Sequence, residues 1–240
     1  MLGGAAAPAK IYVKEKNGVM KILLDTANLD QISSVLPYMP IDGVTTNPTI
    51  LSKESDDVYH TLSEMKRLMD GRMIHSQTTA YDCHGMLEQA KKLTDFIGPN
   101  FYIKIPMTLQ GLRAVQMCKA EGLKVTVTAI FTPMQALLAA KCGADYVAPY
   151  VDRLDNITSD GVSVVGEIVR LLDNYCYDTQ VLAASFKNCR QVLELVRCGV
   201  GAATVSPDVL EAFLKLDAVD AAVERFRLDF EGLCGAQATL

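Results

Sequence analysis

Short runs of strand-forming residues return along this chain at a near-constant pace, and that pace limits the folds open to it. They are Lys21–Asp25, Gly43–Thr45, Met73–Gln77, Phe101–Ile105, Lys124–Ala129, Tyr146–Pro149, Gln180–Ala184 and Ala202–Val205. Successive starts are about 26 residues apart, the length of one strand plus one helix. Segments of helical periodicity fill the gaps, at about 57–69, 82–97, 109–120, 133–142, 160–174, 188–198 and 207–214, with a weaker one at 28–38.

The punctuation agrees with this reading. Thr132-Pro133 pairs a helix cap with proline at the first helical position. Ala120-Glu121-Gly122, Lys141-Cys142-Gly143 and Arg197-Cys198-Gly199 end three helices in one way, with a glycine suited to the left-handed turn. This shared ending is a weak internal repeat. Such strand–helix units imply a single-domain α/β fold, a (β/α)8 TIM barrel over 20–240 with an additional C-terminal helix, near the lower end of the size range for that fold. A doubly wound open sheet would normally carry a glycine-rich phosphate turn after its first strand, and Asp25-Thr26-Ala27-Asn28 is not one. Residues 1–19, with the low-complexity Gly3-Gly4-Ala5-Ala6-Ala7-Pro8, read as an extension or expression scar that is expected to be mobile. They lack the apolar core of a signal peptide.

Composition excludes several roles. A hydrophobic fraction of 50% and a charged fraction of 21% suit a sizeable core. A net charge of −5, without any Lys/Arg-rich run, argues against nucleic-acid partners. No apolar stretch approaches the roughly 18 residues of a membrane span. The seven cysteines are scattered and never in C-x-x-C spacing, as expected of reduced thiols in a cytoplasmic protein.

Within the fourth strand, Lys104 is a lone charge in Phe101-Tyr102-Ile103-Lys104-Ile105-Pro106. Alternation places Tyr102, Lys104 and Pro106 on one face and Phe101, Ile103 and Ile105 on the other. Burial there lowers the pKa of an amine, which then serves as a nucleophile able to form a Schiff base. By itself such a residue is more often a lysine whose stem snorkels to water or whose head pairs with a carboxylate. Its setting decides. In a barrel of this kind chemistry gathers at the C-terminal strand ends, which here carry Asp25, Thr45-Thr46-Asn47, Gln77, Lys104, Thr128, Tyr150 with Arg153, Ser185 with Lys187, and Ser206. Ser206-Pro207 reads as a helix cap only. Lys187 follows its strand and reads as solvated or phosphate-facing. Tyr146 and Phe131 read as packing, with Phe131 able to border the mouth.

The three histidines, His60, His75 and His84, are not in metal-ligand spacing, and no Walker loop, nucleophile elbow or nicotinamide fingerprint is present. A metal-free, cofactor-free carbonyl chemistry through an iminium ion is the expectation. Arg153 and Ser185 suit an anionic group on the substrate.

The strings Leu24-Asp25-Thr26, Gly43-Val44-Thr45-Thr46-Asn47-Pro48-Thr49, Ile103-Lys104-Ile105-Pro106-Met107-Thr108, Tyr146-Val147-Ala148-Pro149-Tyr150-Val151-Asp152-Arg153 and Ala183-Ala184-Ser185-Phe186-Lys187 resemble the transaldolase-like class I aldolases. That family comprises bacterial fructose-6-phosphate aldolases and short transaldolases. The resemblance implies Lys104 as the Schiff-base lysine and Asp25 as its acid/base partner. It implies Asn47 and Thr45 at the dihydroxyacetone portion, Arg153 and Ser185 at the phosphate, and Thr128 near a catalytic water. Gln77 and Tyr150 resemble the aldolases, whereas the short transaldolases carry glutamate and phenylalanine there. Thr126 matches neither pattern. The favoured reading is a sugar-phosphate aldolase acting on fructose 6-phosphate, with transaldolase as the alternative and a non-catalytic sugar-phosphate-binding barrel as a distant third. The last helix spaces Val219, Ala222, Val223, Phe226 and Phe230 on one face. It either closes its own barrel or, as the resemblance implies, packs on a neighbour in a ring-based homo-oligomer, for instance a decamer.

Overall fold

The computed structural model describes residues 19–235, so nearly all of the expected N-terminal extension lies outside the described residues. Eight parallel strands close a barrel in sequence order: β1 (Lys21–Asp25), β2 (Gly43–Thr45), β3 (Met73–Gln77), β4 (Phe101–Pro106), β5 (Val125–Ile130), β6 (Tyr146–Pro149), β7 (Gln180–Ala183) and β8 (Ala202–Val205). The helices are α1 (Leu29–Val35), α2 (Pro48–Glu54), α3 (Val58–Met69), α4 (Cys83–Ile97), α5 (Leu109–Ala120), α6 (Pro133–Lys141), α7 (Val151–Asn156), α8 (Gly161–Asn174), α9 (Cys189–Arg197), α10 (Pro207–Ala212) and α11 (Asp217–Cys234). The (β/α)8 barrel with a C-terminal helix is the expected architecture.

Strand pleating divides the apolar residues into two cores. Leu24, Val44, Ile74, Phe101, Ile103, Ile105, Val127, Val147 and Val205 face outward into the layer beneath the helices. Leu23, Met73, Tyr146, Leu182 and Ala202 face inward, with Tyr102 packed against them. The inner core fills only the N-terminal part of the barrel. Above it the inward side chains include the polar Asp25, Thr45, Gln77, Lys104, Thr126, Thr128 and Thr204, which is where a site can form.

Local signals explain the helix ends. Thr132 and Gln135 form a reciprocal capping box at α6, with Pro133 in its first turn. Gly122, Gly143 and Gly199 stand at φ 73°, 91° and 80°, so the repeated ending is the left-handed turn it resembles. Two short helices, α2 and α7, were absent from the expected pattern. Asn47 caps α2 by accepting from Ile50 N at 3.0 Å, with Pro48 next. The Asn47-Pro48 pair that starts this helix lies within the Thr45-Thr46-Asn47-Pro48 string, so one stretch carries both the strand-end motif and a helix cap. Strand β5 carries a bulge between Thr128 and Ile130, with Ala129 at φ 60°.

The final helix does not close its own barrel. No residue of α11 is buried, and Val219, Val223 and Phe226 are exposed. An apolar cavity of about 400 Å³ lies instead between β1, β8 and α9–α10, lined in part by Met20, Ile22, Tyr38, Leu193 and Phe213.

Ile103 lies on the outer face of β4, fully buried, directly before the inward Lys104. Ile103→Ala should lower the unfolding free energy by about 2–5 kcal/mol. Urea unfolding would register this as a lower midpoint with an unchanged slope.

Candidate active site

Lys104 points into the barrel and is only 5% exposed. Its Nζ donates to the Thr46 carbonyl oxygen at 3.0 Å. Burial pulls its pKa below the ordinary lysine value, and the charge of Asp25 partly restores it. Asp25, at the end of β1, accepts from Thr45 Oγ1 at 2.7 Å. Burial pushes its pKa up, against the opposing pull of Lys104 and the Thr45 hydrogen bond, while Glu54 adds a smaller upward push. Desolvation therefore drives both partners toward their neutral forms. An amine of lowered pKa beside a carboxyl of raised pKa is an arrangement that can serve as a nucleophile next to an acid/base group.

Threonines surround this pair. Thr45 Oγ1 lies 2.6 Å from Thr204 Oγ1. Since the single Thr45 proton points to Asp25, Thr204 donates to Thr45 and fixes its direction. Gln77 and Thr126 flank Lys104 in register on β3 and β5. Thr126 Oγ1 lies 2.9 Å from Nδ1 of the buried His75.

A second group stands at the rim. Thr128 Oγ1 and the Tyr150 hydroxyl are 2.8 Å apart. The Arg153 guanidinium lies 4.6 Å above the Tyr150 ring, and Phe131 meets that ring edge-on at 5.9 Å between centroids. Phe131 thus borders the mouth, while Tyr146 belongs to the inner core. Ser185 is half-buried after β7 in a left-handed conformation, φ 66°. Lys187 is exposed. Ser206 occupies the cap position of α10 but its side chain makes no capping bond, contrary to the reading of it as a cap.

Asn47 spends its Oδ1 on capping α2, which leaves the amide NH2 group as its donor to a ligand. Among the described residues no three His, Cys, Asp or Glu side chains gather as a metal site would need. No helix among them is long and apolar enough to cross a membrane. All seven cysteines are free.

Three participants escaped the sequence reading. The Thr46 carbonyl is a backbone atom and leaves no residue-type signal. Thr204 and His75 were accessible to alternation: Thr204 precedes the outward Val205, and His75 lies two residues before the inward Gln77.

A closed parallel barrel with a buried lysine and an aspartate at its C-terminal mouth defines a class of enzyme-like (β/α)8 proteins. The chain belongs to the transaldolase/fructose-6-phosphate aldolase family: residues 22–236 match the family described as Transaldolase/Fructose-6-phosphate aldolase. A protein of Thermoanaerobacter sp. named probable transaldolase is 42% identical over 211 residues, which is 88% of this chain and 97% of that one. One of Hydrogenobaculum sp. with the same name is 39% identical over 212 residues, again 88% and 97% of the two chains. Among solved structures, "Native KDPGal structure" superimposes with a TM-score of 0.56 at 14% identity, over 81% of this chain and 85% of that one. A flavocytochrome b2 mutant with pyruvate bound gives 0.58 at 8% identity, over 78% and 56%. These two share the fold alone.

The Lys104–Asp25 coupling has a measurable sign. The Asp25 charge raises the Lys104 pKa, so Asp25→Asn should lower it further. Reductive methylation of Lys104 across a pH series, read by peptide mass, should then reach half-extent at a lower pH than in the parent protein.

Proposed function

We propose that this protein is a Schiff-base aldolase that interconverts fructose 6-phosphate, or a closely similar ketose phosphate, with dihydroxyacetone and glyceraldehyde 3-phosphate. The observation that carries this reading is the buried Lys104 amine beside Asp25, with the Tyr150 phenol hydrogen-bonded to Thr128 at the same mouth. The neutral amine attacks the ketone C2, and loss of water from the carbinolamine leaves an iminium ion. Removal of the C4 hydroxyl proton, with Asp25 as base, sends the C3–C4 bonding electrons into the iminium. Glyceraldehyde 3-phosphate departs and an enamine remains on Lys104. Protonation at C3 and hydrolysis by a water held between Gln77, Thr128 and Tyr150 release dihydroxyacetone and regenerate the amine. The iminium is itself the electron sink, so these steps call on no metal. Arg153 and Ser185 take the phosphate, and Asn47 and Thr45 the dihydroxyacetone hydroxyls.

A second reading, transaldolase, is favoured by the names of the relatives. It shares every step to the enamine, then passes the three-carbon unit to an aldose phosphate. Gln77 and Tyr150 support the aldolase reading, since a phenol provides a proton where a hydrocarbon ring provides none. Incubation with fructose 6-phosphate, with and without erythrose 4-phosphate, separates the two. The aldolase releases dihydroxyacetone without the acceptor, and the transferase gives product only with it. Borohydride in the presence of substrate should trap adduct mass on Lys104, and mass on Lys187 instead would overturn the assignment. Tyr150→Phe should lower net cleavage by about 10²–10⁴-fold while sparing transfer. An unchanged ratio of cleavage to transfer would remove the phenol from the mechanism.

We further propose that the protein acts as a ring-based homo-oligomer in which α11 of one copy covers the apolar cavity of the next. Support comes from the wholly unburied α11 and from the cavity of about 400 Å³ beside α9 and α10. Chains ending at Leu216 should sediment as monomers where the full chain sediments as an oligomer.

A further inference from the structure

Beneath the catalytic lysine the barrel axis is crossed by aromatic rings. His75 stacks on Tyr102, with centroids 4.4 Å apart and planes 7° from parallel. It meets Tyr146 edge-on at 5.5 Å, and the two tyrosines meet each other at 5.3 Å and 75°. Tyr102 and Tyr146 also line a cavity of about 520 Å³ that opens at the N-terminal end of the barrel, together with Lys21, Lys119 and Asp145. Lys104 and Tyr102 are successive inward residues of β4, and His75 pairs with Tyr102 while Gln77 pairs with Lys104. The three rings therefore separate a basal cavity from the layer that holds the amine.

We propose that His75, with Tyr102 and Tyr146, is a plug that bars water in the basal cavity from Lys104, which makes His75 a positioning residue for the nucleophile. This role deepens the Schiff-base reading and rests on it for its catalytic meaning. Its physical content does not depend on any substrate.

The His75 and Tyr102 rings are built to stay uncharged. Burial, then the charges of Lys104 and Lys21, hold the His75 pKa well below its ordinary value, so the imidazole is neutral at neutral pH. Burial pushes the Tyr102 phenol up to about 12. Lys21 donates to the Tyr146 hydroxyl at 3.1 Å from the far side. Around Lys104 the titratable neighbours are Asp25 on β1 and His75 on β3, with Tyr102, Tyr146 and Lys21 in the layer below and Tyr150 at the rim. The inward polar side chains of β2, β5 and β8 are the uncharged Thr45, Thr126, Thr128 and Thr204. Water exclusion is thus the main force on the amine, in keeping with burial as the leading cause of its low pKa.

Among the described residues, hydrogen bonding holds the His75 ring through one nitrogen. Thr126 partners its Nδ1, and its Nε2 finds no partner among the described residues. Opening the plug at this ring would let water reach Lys104 from below and return its pKa toward the ordinary lysine value.

The test follows Lys104 itself. Reductive methylation with formaldehyde and cyanoborohydride across a pH series, read by the mass of the Lys104 peptide, reports the free amine without any substrate. His75→Ala should move the half-labelling pH up by about one unit, with about tenfold less free amine at neutral pH. His75→Ser, which also opens the ring position, should do the same and stands in if the alanine variant does not fold. The double variant His75→Phe/Thr126→Val restores an apolar ring and strands no hydroxyl, so its labelling midpoint should match the parent. An unchanged midpoint in a folded His75→Ala or His75→Ser protein would overturn the plug, whatever happened to thermal stability. So would a shift in the double variant equal to theirs. If the midpoints behave as proposed but substrate and borohydride leave Lys104 unmodified, the plug stands and the Schiff-base reading fails.

Discussion

An ammonium ion is costly to hold inside a barrel, and the desolvation of Lys104 is the constraint on which the rest of the site depends. The outer face of β4 contributes Phe101, Ile103 and Ile105 to the main core, which pins the strand and forces Lys104 inward. Snorkelling to solvent is not the outcome, because the residue remains 5% exposed and its Nζ donates to the buried Thr46 carbonyl. A carbonyl stabilises the amine as a donor without supplying the full charge that would lock it as an ammonium. The charge that acts on the amine, Asp25, is itself pushed toward neutrality by burial. The downward pull on the Lys104 pKa is a consequence of packing, with electrostatics opposing it in part.

Threonine does most of the polar work in this interior. A hydroxyl is short, donates once and accepts twice, so a chain of them transmits direction without adding charge. Thr204 donates to Thr45 and Thr45 donates to Asp25, which orients the carboxyl from the far edge of the β1 neighbourhood. On the other side of the lysine, Thr126 holds His75 and Thr128 holds Tyr150. Alternating threonines of β5 thus serve two layers, one below the amine and one above it. Carboxylates in these positions would have pushed the Lys104 pKa back up.

Much of this arrangement was legible from residue order. Strand spacing fixed the barrel, and the alternation in Phe101-Tyr102-Ile103-Lys104 assigned the faces correctly, because β pleating has a strict period of two. Strand ends brought Asp25, Gln77, Lys104 and Thr128 to one mouth for the same reason. What escaped depends on three dimensions. The Thr46 carbonyl partners Lys104 only because β2 and β4 flank β3 and their C-terminal ends meet inside the closed barrel. Ser206 looked like a cap from its neighbour Pro207, yet its hydroxyl is not used as one. The exposed α11 has the same apolar periodicity as a helix that closes its own barrel, so periodicity alone did not distinguish the two.

The bulge in β5 has the widest reach of any local irregularity. With Ala129 at φ 60°, the β5–β6 register slips so that Ile130 rather than Ala129 pairs with Pro149. Tyr150 N then bonds the Ile130 carbonyl, and Tyr150 bridges Ala184 on the opposite side. The chain turns at once into α7, whose first amides are tied to β7: Val151 N donates to the Ala184 carbonyl and Asp152 N to that of Ser185. Ser185 meets that bond in a left-handed conformation, at a strain that its surroundings hold in place. Tyr150, Arg153 and Ser185 are therefore one mechanical unit, fastened to β5 at one end and β7 at the other. In the proposed chemistry the groups that grip the phosphate and the phenol that quenches the enamine cannot move independently, so substrate length is measured against a rigid frame.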